Sequence, residues 1–223
     1  MYKSSLDYLR QLPDVFCVND MIKIFHLESK YAHIYISRWK KKDLIESAGP
    51  SVGFYFNLLK NPNCKDDNYS VLIKRLFPTS VLIGGFVLMN NGVTTQISNA
   101  MDIAVVSKPT RGSTLKGNGY ANLERANFFY RSREWYKAKN IFCKDVFLYG
   151  LPALNAEFAL VDSWLYKDSL WCPDADDIYL DDLNIRLIHD ICIYLNVDPF
   201  EFFNYFNISD KLRELYESHP SIG

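Results

Sequence analysis

The chain has 223 residues, of which 48% are hydrophobic and 15% aromatic, and its net charge is −1. This composition is typical of a globular protein with a sizeable core, and it excludes an intrinsically disordered chain. The small net charge also excludes a protein that binds polyanions along its whole length through bulk charge.

The charge is unevenly distributed along the chain. Residues 1–60 carry nine Lys or Arg and six Asp or Glu, a balance of +3, which leaves −4 for residues 61–223. A basic N-terminal part joined to an acidic remainder is typical of a nucleic-acid-binding module attached to another domain.

Cysteines and apolar runs bear on the compartment and on cofactors. The five cysteines are widely spaced and include no CxxC pair and no Cys/His metal pattern. We therefore expect reduced thiols in a cytoplasmic protein, with neither a metal nor a cofactor. The apolar run 81–89 is too short to span a bilayer, so no membrane partner is expected.

Residues 1–59 show the pattern of three short helices followed by a hairpin. Pro13 ends the first helix, Asn19 is a suitable N-cap for the second, and Ser29 is a suitable N-cap for the third. This order is that of a winged helix-turn-helix, so we expect residues 1–59 to form a DNA-binding domain. The predicted helices are 6–12, 20–25 and 30–42, and two strands around a Gly-Pro turn are predicted within 44–59.

The polar, turn-rich composition of segment 60–70 indicates a linker. We expect residues 70–223 to form a second domain of mixed helices and strands. The expected fold class is therefore α+β, with an N-terminal winged helix-turn-helix and a mixed α+β C-terminal domain. Helices are predicted at 71–77, 81–90, 154–166, 183–195, 199–205 and 209–218, strands at 101–107, 126–132, 140–143 and 145–150, and an acidic loop at 171–177.

The third helix is predicted to have one apolar and one polar face. At about 100° per residue, Ala32, Tyr35, Ile36 and Trp39 share one stripe, which we expect to face the core. A groove-inserted helix contacts base edges from its early part and phosphates from later cations. We therefore predict base contacts from the early residues and phosphate contacts from the late lysines: Lys30, His33, Ser37 and Arg38, then Lys40 and Lys41.

An alternative explanation of the late cations stays open. Lys40 and Lys41 could simply complement the negative end of the helix dipole and remain solvated. The order of helices followed by a hairpin favours the DNA interpretation. The predicted wing, Gly49-Pro50-Ser51, carries no Arg or Lys, so any phosphate contact from it should be weak.

Two later segments, 81–111 and 145–164, carry a family resemblance. Its closest local match is Gly92-Val93-Thr94-Thr95-Gln96, within the first segment. Together with the N-terminal order, over about residues 5–165, the chain resembles the AbiEi family, the antitoxin and transcriptional-regulator half of AbiE-type (type IV) toxin–antitoxin systems. The resemblance implies an autoregulator that binds operator DNA of its own operon. It also implies that residues 70–223 form an antitoxin domain, whose functional partner is a nucleotidyltransferase-like toxin.

Two other function classes remain as alternatives, a winged-helix protein-interaction module and a cryptic nucleotidyltransferase or nuclease. A nucleotidyltransferase needs a Gly-Gly or Gly-Ser turn followed by two carboxylates one residue apart. Gly84-Gly85 is present, but Asp102-Ile103-Ala104 supplies a single carboxylate. No hydrolase triad, P-loop or dinucleotide motif is present either. We therefore expect no catalytic residues and no enzyme activity.

Overall fold

The computed structural model describes residues 4–50, 52–106, 115–116, 119–120, 123–180 and 183–218. They form a mixed α+β structure of helices and small sheets, as the sequence predicts. The chain divides into two compact units. The first comprises Met1–Pro78 with Asn122–Glu124, and the second comprises Thr79–Ala121 with Arg125–Gly223.

Local capping interactions position the first helices. The side chains of Asp7 and Ser4 accept hydrogen bonds from each other's backbone N–H, at 2.9 and 3.3 Å. The Asp20 carboxylate accepts from the Cys17 N–H at 2.7 Å, so the second helix begins before the predicted cap at Asn19. In order, the elements are α1 (Ser5–Gln11), β1 (Val15–Cys17), α2 (Val18–Phe25), α3 (Ser29–Lys40), β2 (Ile45–Ser47) and β3 (Phe54–Asn57).

The three strands of the first unit form an antiparallel sheet in the order β1-β3-β2. The hairpin β2–β3 was predicted, whereas β1 was not, because three residues are too few to show an alternating pattern. Val15 of β1 pairs with Phe56 of β3, and Phe16 is fully buried. The sheet therefore closes one side of the helical core.

The segment 60–70, predicted as a linker, belongs to the first unit. It contains α4 (Cys64–Asp67) and the start of α5 (Tyr69–Leu76). Cys64 is fully buried, and its thiol donates to the Asp14 carbonyl at 3.2 Å. The boundary between the units falls at Pro78, because the turn-forming residues of this segment fold it back onto the sheet rather than lead away from it.

Arg75 ties α5 to the elements that precede the third helix. Its guanidinium donates to the Val15 carbonyl and to both oxygens of Asp20, at 2.8 and 2.7 Å. Burial alone would raise the pKa of Asp20, but the Cys17 N–H and the Arg75 guanidinium together lower it. The pair thus holds α5 against β1 and α2.

The second unit is organised around a three-stranded sheet. Its order is β4-β5-β8, with β4 antiparallel and β8 parallel to the central strand. The elements are β4 (Val81–Ile83), α6 (Gly84–Asn90), β5 (Met101–Val105), β6 (Leu115–Lys116), β7 (Gly119–Tyr120), β8 (Ala126–Tyr130), α7 (Arg133–Phe142), β9 (Phe147–Leu148), β10 (Leu151–Pro152), α8 (Ala156–Leu165), α9 (Ile185–Tyr194), α10 (Pro199–Tyr205) and α11 (Ser209–Ser218).

Two predictions in this unit were wrong. Residues 81–90 form a strand and then a helix, because Gly84 adopts a left-handed backbone (φ 64°) that ends β4 and starts α6. Residues 140–143, predicted as a strand, include the last turn of α7. That helix is started by Ser132, whose hydroxyl accepts from the Trp135 N–H at 3.1 Å.

A buried ion pair connects the sheet to α8. The Arg131 guanidinium, which follows β8, forms two hydrogen bonds of 2.9 Å with the two oxygens of Asp162. Arg131 is 2% exposed and Asp162 fully buried. The Trp135 indole donates to the same carboxylate at 2.7 Å, and the Tyr166 ring lies 3.6 Å from the guanidinium carbon.

The remaining helices complete the second unit. Phe202, Phe203 and Phe206 of the α10 region are buried, and α9 and α11 pack with α10. Within the residues that the structure describes, no helix has the length and apolar character needed to cross a bilayer.

We expect Asp162→Ala to destabilise the protein by about 3–5 kcal/mol, because it leaves the buried Arg131 charge without its partner. Urea unfolding followed by tryptophan fluorescence measures the loss. Asp210→Ala is the control, since that carboxylate belongs to an exposed ion pair with Arg213 and its removal should change little. A loss for Asp162→Ala no larger than the control's would contradict the role assigned to the pair.

Candidate functional site

The apolar face of α3 is fixed in the core of the first unit. Ala32, Ile36 and Trp39 are buried, as predicted, and Tyr35 is half-buried. Tyr35 stacks on Trp39 with ring centroids 5.6 Å apart, and Phe16 of β1 meets the Trp39 ring edge-on at 6.4 Å. Because this face is locked, the opposite face of α3 has a defined orientation.

The outward face of α3 carries every site residue predicted from the sequence. All six side chains are exposed: Lys30, His33, Ser37, Arg38, Lys40 and Lys41. Lys30 pairs with Glu28 at 2.9 Å, in an exposed ion pair. Across the described part of the chain, Arg38, Lys40 and Lys41 form no ion pair, so their charges are available to a ligand.

The turn between α2 and α3 and the end of α3 are both set by left-handed residues. His26 has φ 53° directly after α2, and Asp43 has φ 51° between α3 and β2. The helix ends at Lys40, two residues before the predicted end, and Lys41 is its C-cap. Lys41 therefore lies at the helix terminus, where a flexible cation reaches a neighbouring phosphate more readily than a base edge.

The loop of the β2–β3 hairpin contributes little polar surface. Ala48 and Val52 are buried, and Ser47 donates its hydroxyl to the Gly49 carbonyl at 3.1 Å. Ser51, the remaining polar residue of the predicted wing, lies outside the described residues. The exposed cations of this surface thus come from α3.

Two exposed apolar side chains share the surface of α3. Tyr31 is 47% and Ile34 45% exposed. Tyr31 also lies beneath the Lys30 ammonium, 4.9 Å from it. Along the helix, the outward face therefore carries cations toward both ends and exposed apolar side chains between them.

Asp102, the lone carboxylate of the enzyme alternative, lies on β5. It is 7% exposed, and the Asn127 amide of β8 donates to its Oδ1 at 3.1 Å. Burial raises the pKa of Asp102 to about 6, although the Asn127 hydrogen bond and the Arg131 charge act to lower it and the Asp162 charge raises it further. Within the described ranges, no group of three or more His, Cys, Asp and Glu side chains could hold a metal ion.

A cleft beside Asp102 was not predicted from the sequence. Gly84 and Gly85 lie close to it, and a Cβ on Gly84 would be 3.0 Å from Asp102 Oδ2. A Cβ on Gly85 would be 2.7 Å from the Trp171 ring. In the sequence, the adjacent glycines and the lone Asp102 are the features that point to this cleft. Nothing in the sequence indicates that Trp171 packs against Gly85.

Gly92 follows Asn91, the C-cap of α6, with a left-handed φ of 73°, and the backbone N–H groups of Gly92 and Val93 donate to carbonyls at the end of α6. The Thr94 hydroxyl accepts from the Gln96 N–H at 3.1 Å and so stabilises the turn that follows.

No protein-family model matches the chain, and no curated protein matches it. The candidate interface on α3 is therefore defined by the exposure, charge and fixed orientation of its own residues.

Asp102 should make stability depend on pH. Its folded pKa of about 6 lies above the ordinary value of 3.8, so its contribution to stability is fully present below about pH 4 and is lost as the pH rises through 6. Relative to the parent, Asp102→Asn should gain up to about 3 kcal/mol between pH 4 and pH 7, because an amide does not ionise. Chemical unfolding of both proteins across this range measures the difference. A constant difference would show that Asp102 titrates normally.

Proposed function

We propose that the first unit is a winged helix-turn-helix that binds DNA, with α3 in the major groove. The observation that carries this proposal is the two-sided character of α3. One face is locked into the core by Ala32, Ile36 and Trp39, while the other exposes all six polar and cationic side chains. A helix that reads DNA needs this rigid placement, because base contacts depend on a fixed register.

The order of elements supports the proposal. Helix, strand, two helices and a hairpin, with strand order β1-β3-β2, place a short sheet behind the helix pair α2–α3. The left-handed turn at His26 joins the two helices within three residues. Short helix–turn–helix connections of this kind are typical of DNA-binding modules.

The side chains of the outward face form two groups, according to whether they can contact base edges or phosphates. Lys30, His33, Ser37 and Arg38 lie within the helix and can present donors to base edges, with Arg38 suited to a bidentate contact to guanine. Lys40 and Lys41 lie at the last turn and the C-cap, and we assign them to phosphate contacts. The neutral hairpin loop makes α3 the principal source of affinity.

We further infer that the protein is a transcriptional autoregulator and antitoxin of a type IV toxin–antitoxin system, which acts by binding rather than by catalysis. Support comes from the AbiEi resemblance, carried by residues such as Gly92-Val93-Thr94-Thr95-Gln96. On this proposal the DNA partner is the operator of its own operon. The functional partner of residues 70–223 is a nucleotidyltransferase-like toxin.

A second candidate is a protein-interaction module built on the same helix. The exposed Tyr31 and Ile34 favour it, because aromatic and aliphatic side chains provide the central contacts of protein interfaces. Such a module would bind a partner protein through α3 without a preference for DNA sequence.

Substitutions on α3 should separate base contacts from phosphate contacts in gel-shift assays on the DNA upstream of the gene. Lys30→Ala and Arg38→Ala should each weaken operator binding by about 1–3 kcal/mol and reduce the preference for operator over unrelated DNA. Lys41→Ala should weaken binding to all sequences alike and reduce the salt slope by about 1, since it removes one phosphate contact.

Lys74→Ala is the matched control, because Lys74 is an exposed lysine on α5 and its replacement makes the same charge change away from α3. If it weakens binding as much as Lys41→Ala, the effect reflects total charge and the assigned face is incorrect. If the parent protein binds no DNA at low salt but retains a partner protein that Ile34→Ala releases, the interaction module is the better description.

A further inference from the structure

The second unit contains a cleft of about 290 Å³ lined by residues of α6, of β5 and of the segment before β5, together with Trp171. Gly85, Gln96, Ser98, Ala100, Asp102 and Trp171 are among its lining residues. This volume lies at the lower end of the range for ligand pockets, so it suits a small molecule or one side chain of a partner. The cleft belongs to the second unit and α3 to the first, so ligand binding in the cleft can be tested independently of DNA binding.

Two polar side chains of the cleft, Gln96 and Ser98, present acceptors, because each already uses a donor within the protein. The Gln96 amide nitrogen donates to Asp177, which leaves the amide oxygen free to accept. The Ser98 hydroxyl donates to the Ala100 carbonyl at 2.8 Å, which leaves its lone pairs available. These two side chains therefore favour a ligand that donates hydrogen bonds.

The carboxylate of Asp102 is only half satisfied. Oδ1 accepts from Asn127 at 3.1 Å, whereas Oδ2 receives no hydrogen bond from any described residue. Among the described lining residues, Asp102 alone can carry a charge, and its charge is negative. Burial of an ionised acid is costly, and a cationic ligand at Oδ2 would reduce this cost. The same charge disfavours phosphates and other anions.

Trp171 forms an aromatic wall of the cleft beside the Asp102 carboxylate. Its six-membered ring packs over the Cα of Gly85, where a Cβ would be 2.7 Å away, and 38% of the residue remains exposed. An indole face attracts cations through its quadrupole, and a carboxylate beside it adds a charged acceptor. These are the two groups that protein sites combine to hold an ammonium ion.

We propose that this cleft binds a protonated primary amine on a short apolar chain, with the ammonium group at Asp102 Oδ2 and the chain against Trp171. Gln96 Oε1 and Ser98 Oγ belong to the lining of the same cleft and are further acceptors for the ammonium group. The amine belongs either to a free small molecule or to a lysine side chain of a partner protein.

The test is a titration of the ¹⁵N-labelled full chain with n-butylammonium, followed through the Trp171 indole N–H signal, which Trp171→Phe assigns. The control ligand is n-butanol, the neutral isostere of n-butylammonium, titrated at the same ionic strength. We expect a saturable shift with n-butylammonium and affinity for n-butanol lower by about tenfold or more, since the alcohol has no charge to pair with Asp102.

Asp102→Asn should weaken n-butylammonium binding by about tenfold or more, whereas Asp176→Asn, which changes an exposed acid outside the cleft lining, should leave it unchanged. Gly85→Ala gives an independent readout if Asp102→Asn does not fold, because the added Cβ displaces the Trp171 wall without altering charge. Equal binding of n-butanol, or retained affinity in whichever of these two variants folds, would overturn the proposal.

A blocked Gly-Lys-Gly peptide separates the two sources of the amine. Tighter binding of the peptide than of n-butylammonium assigns the site to a lysine side chain of a partner, and equal or weaker binding assigns it to a free amine. Both results retain the ammonium site.

Discussion

The second unit depends on one buried interaction, the ion pair between Arg131 and Asp162. Both groups are removed from water, which is costly. Their mutual attraction offsets this cost only if their remaining polar atoms are also hydrogen-bonded. Trp135 supplies one of these bonds, and the Tyr166 ring covers the guanidinium. The end of β8, the first turn of α7 and the middle of α8 are thereby held together at one point.

The same pair connects the sheet to the acid on β5. The charge of Arg131 lowers the pKa of Asp102 and that of Asp162 raises it, so the two influences oppose each other and burial decides the direction. In the first unit, the corresponding role belongs to Arg75 and Asp20, a pair that retains partial contact with water. Each unit therefore uses an arginine from one element to fix elements that lie apart in sequence.

Much of this arrangement could be predicted from the sequence, and the exceptions have physical causes. The apolar stripe of α3 repeats at helical spacing, so its buried and exposed faces follow from periodicity alone. The strand β1 is too short to show a period, and its position is set by pairing with a strand about 40 residues away. The polar segment 60–70 has the composition of a linker, yet the burial of Cys64 holds it to the first unit. The cleft beside Asp102 combines residues from three separate stretches of the chain, and no local sequence pattern indicates that they lie together.

The clamp between Arg75 and Asp20 also determines how the first unit responds to force. The chain leaves this unit at Pro78, two residues after α5, and α5 is bonded to the first turn of α2. A pull on the chain beyond Pro78 therefore acts first on α5, which the Arg75–Asp20 bonds connect to the helix preceding α3. Because Arg75 also bonds the Val15 carbonyl of β1 and lies over the Phe54 ring of β3, tension applied at that point reaches the support of α3 and the sheet together.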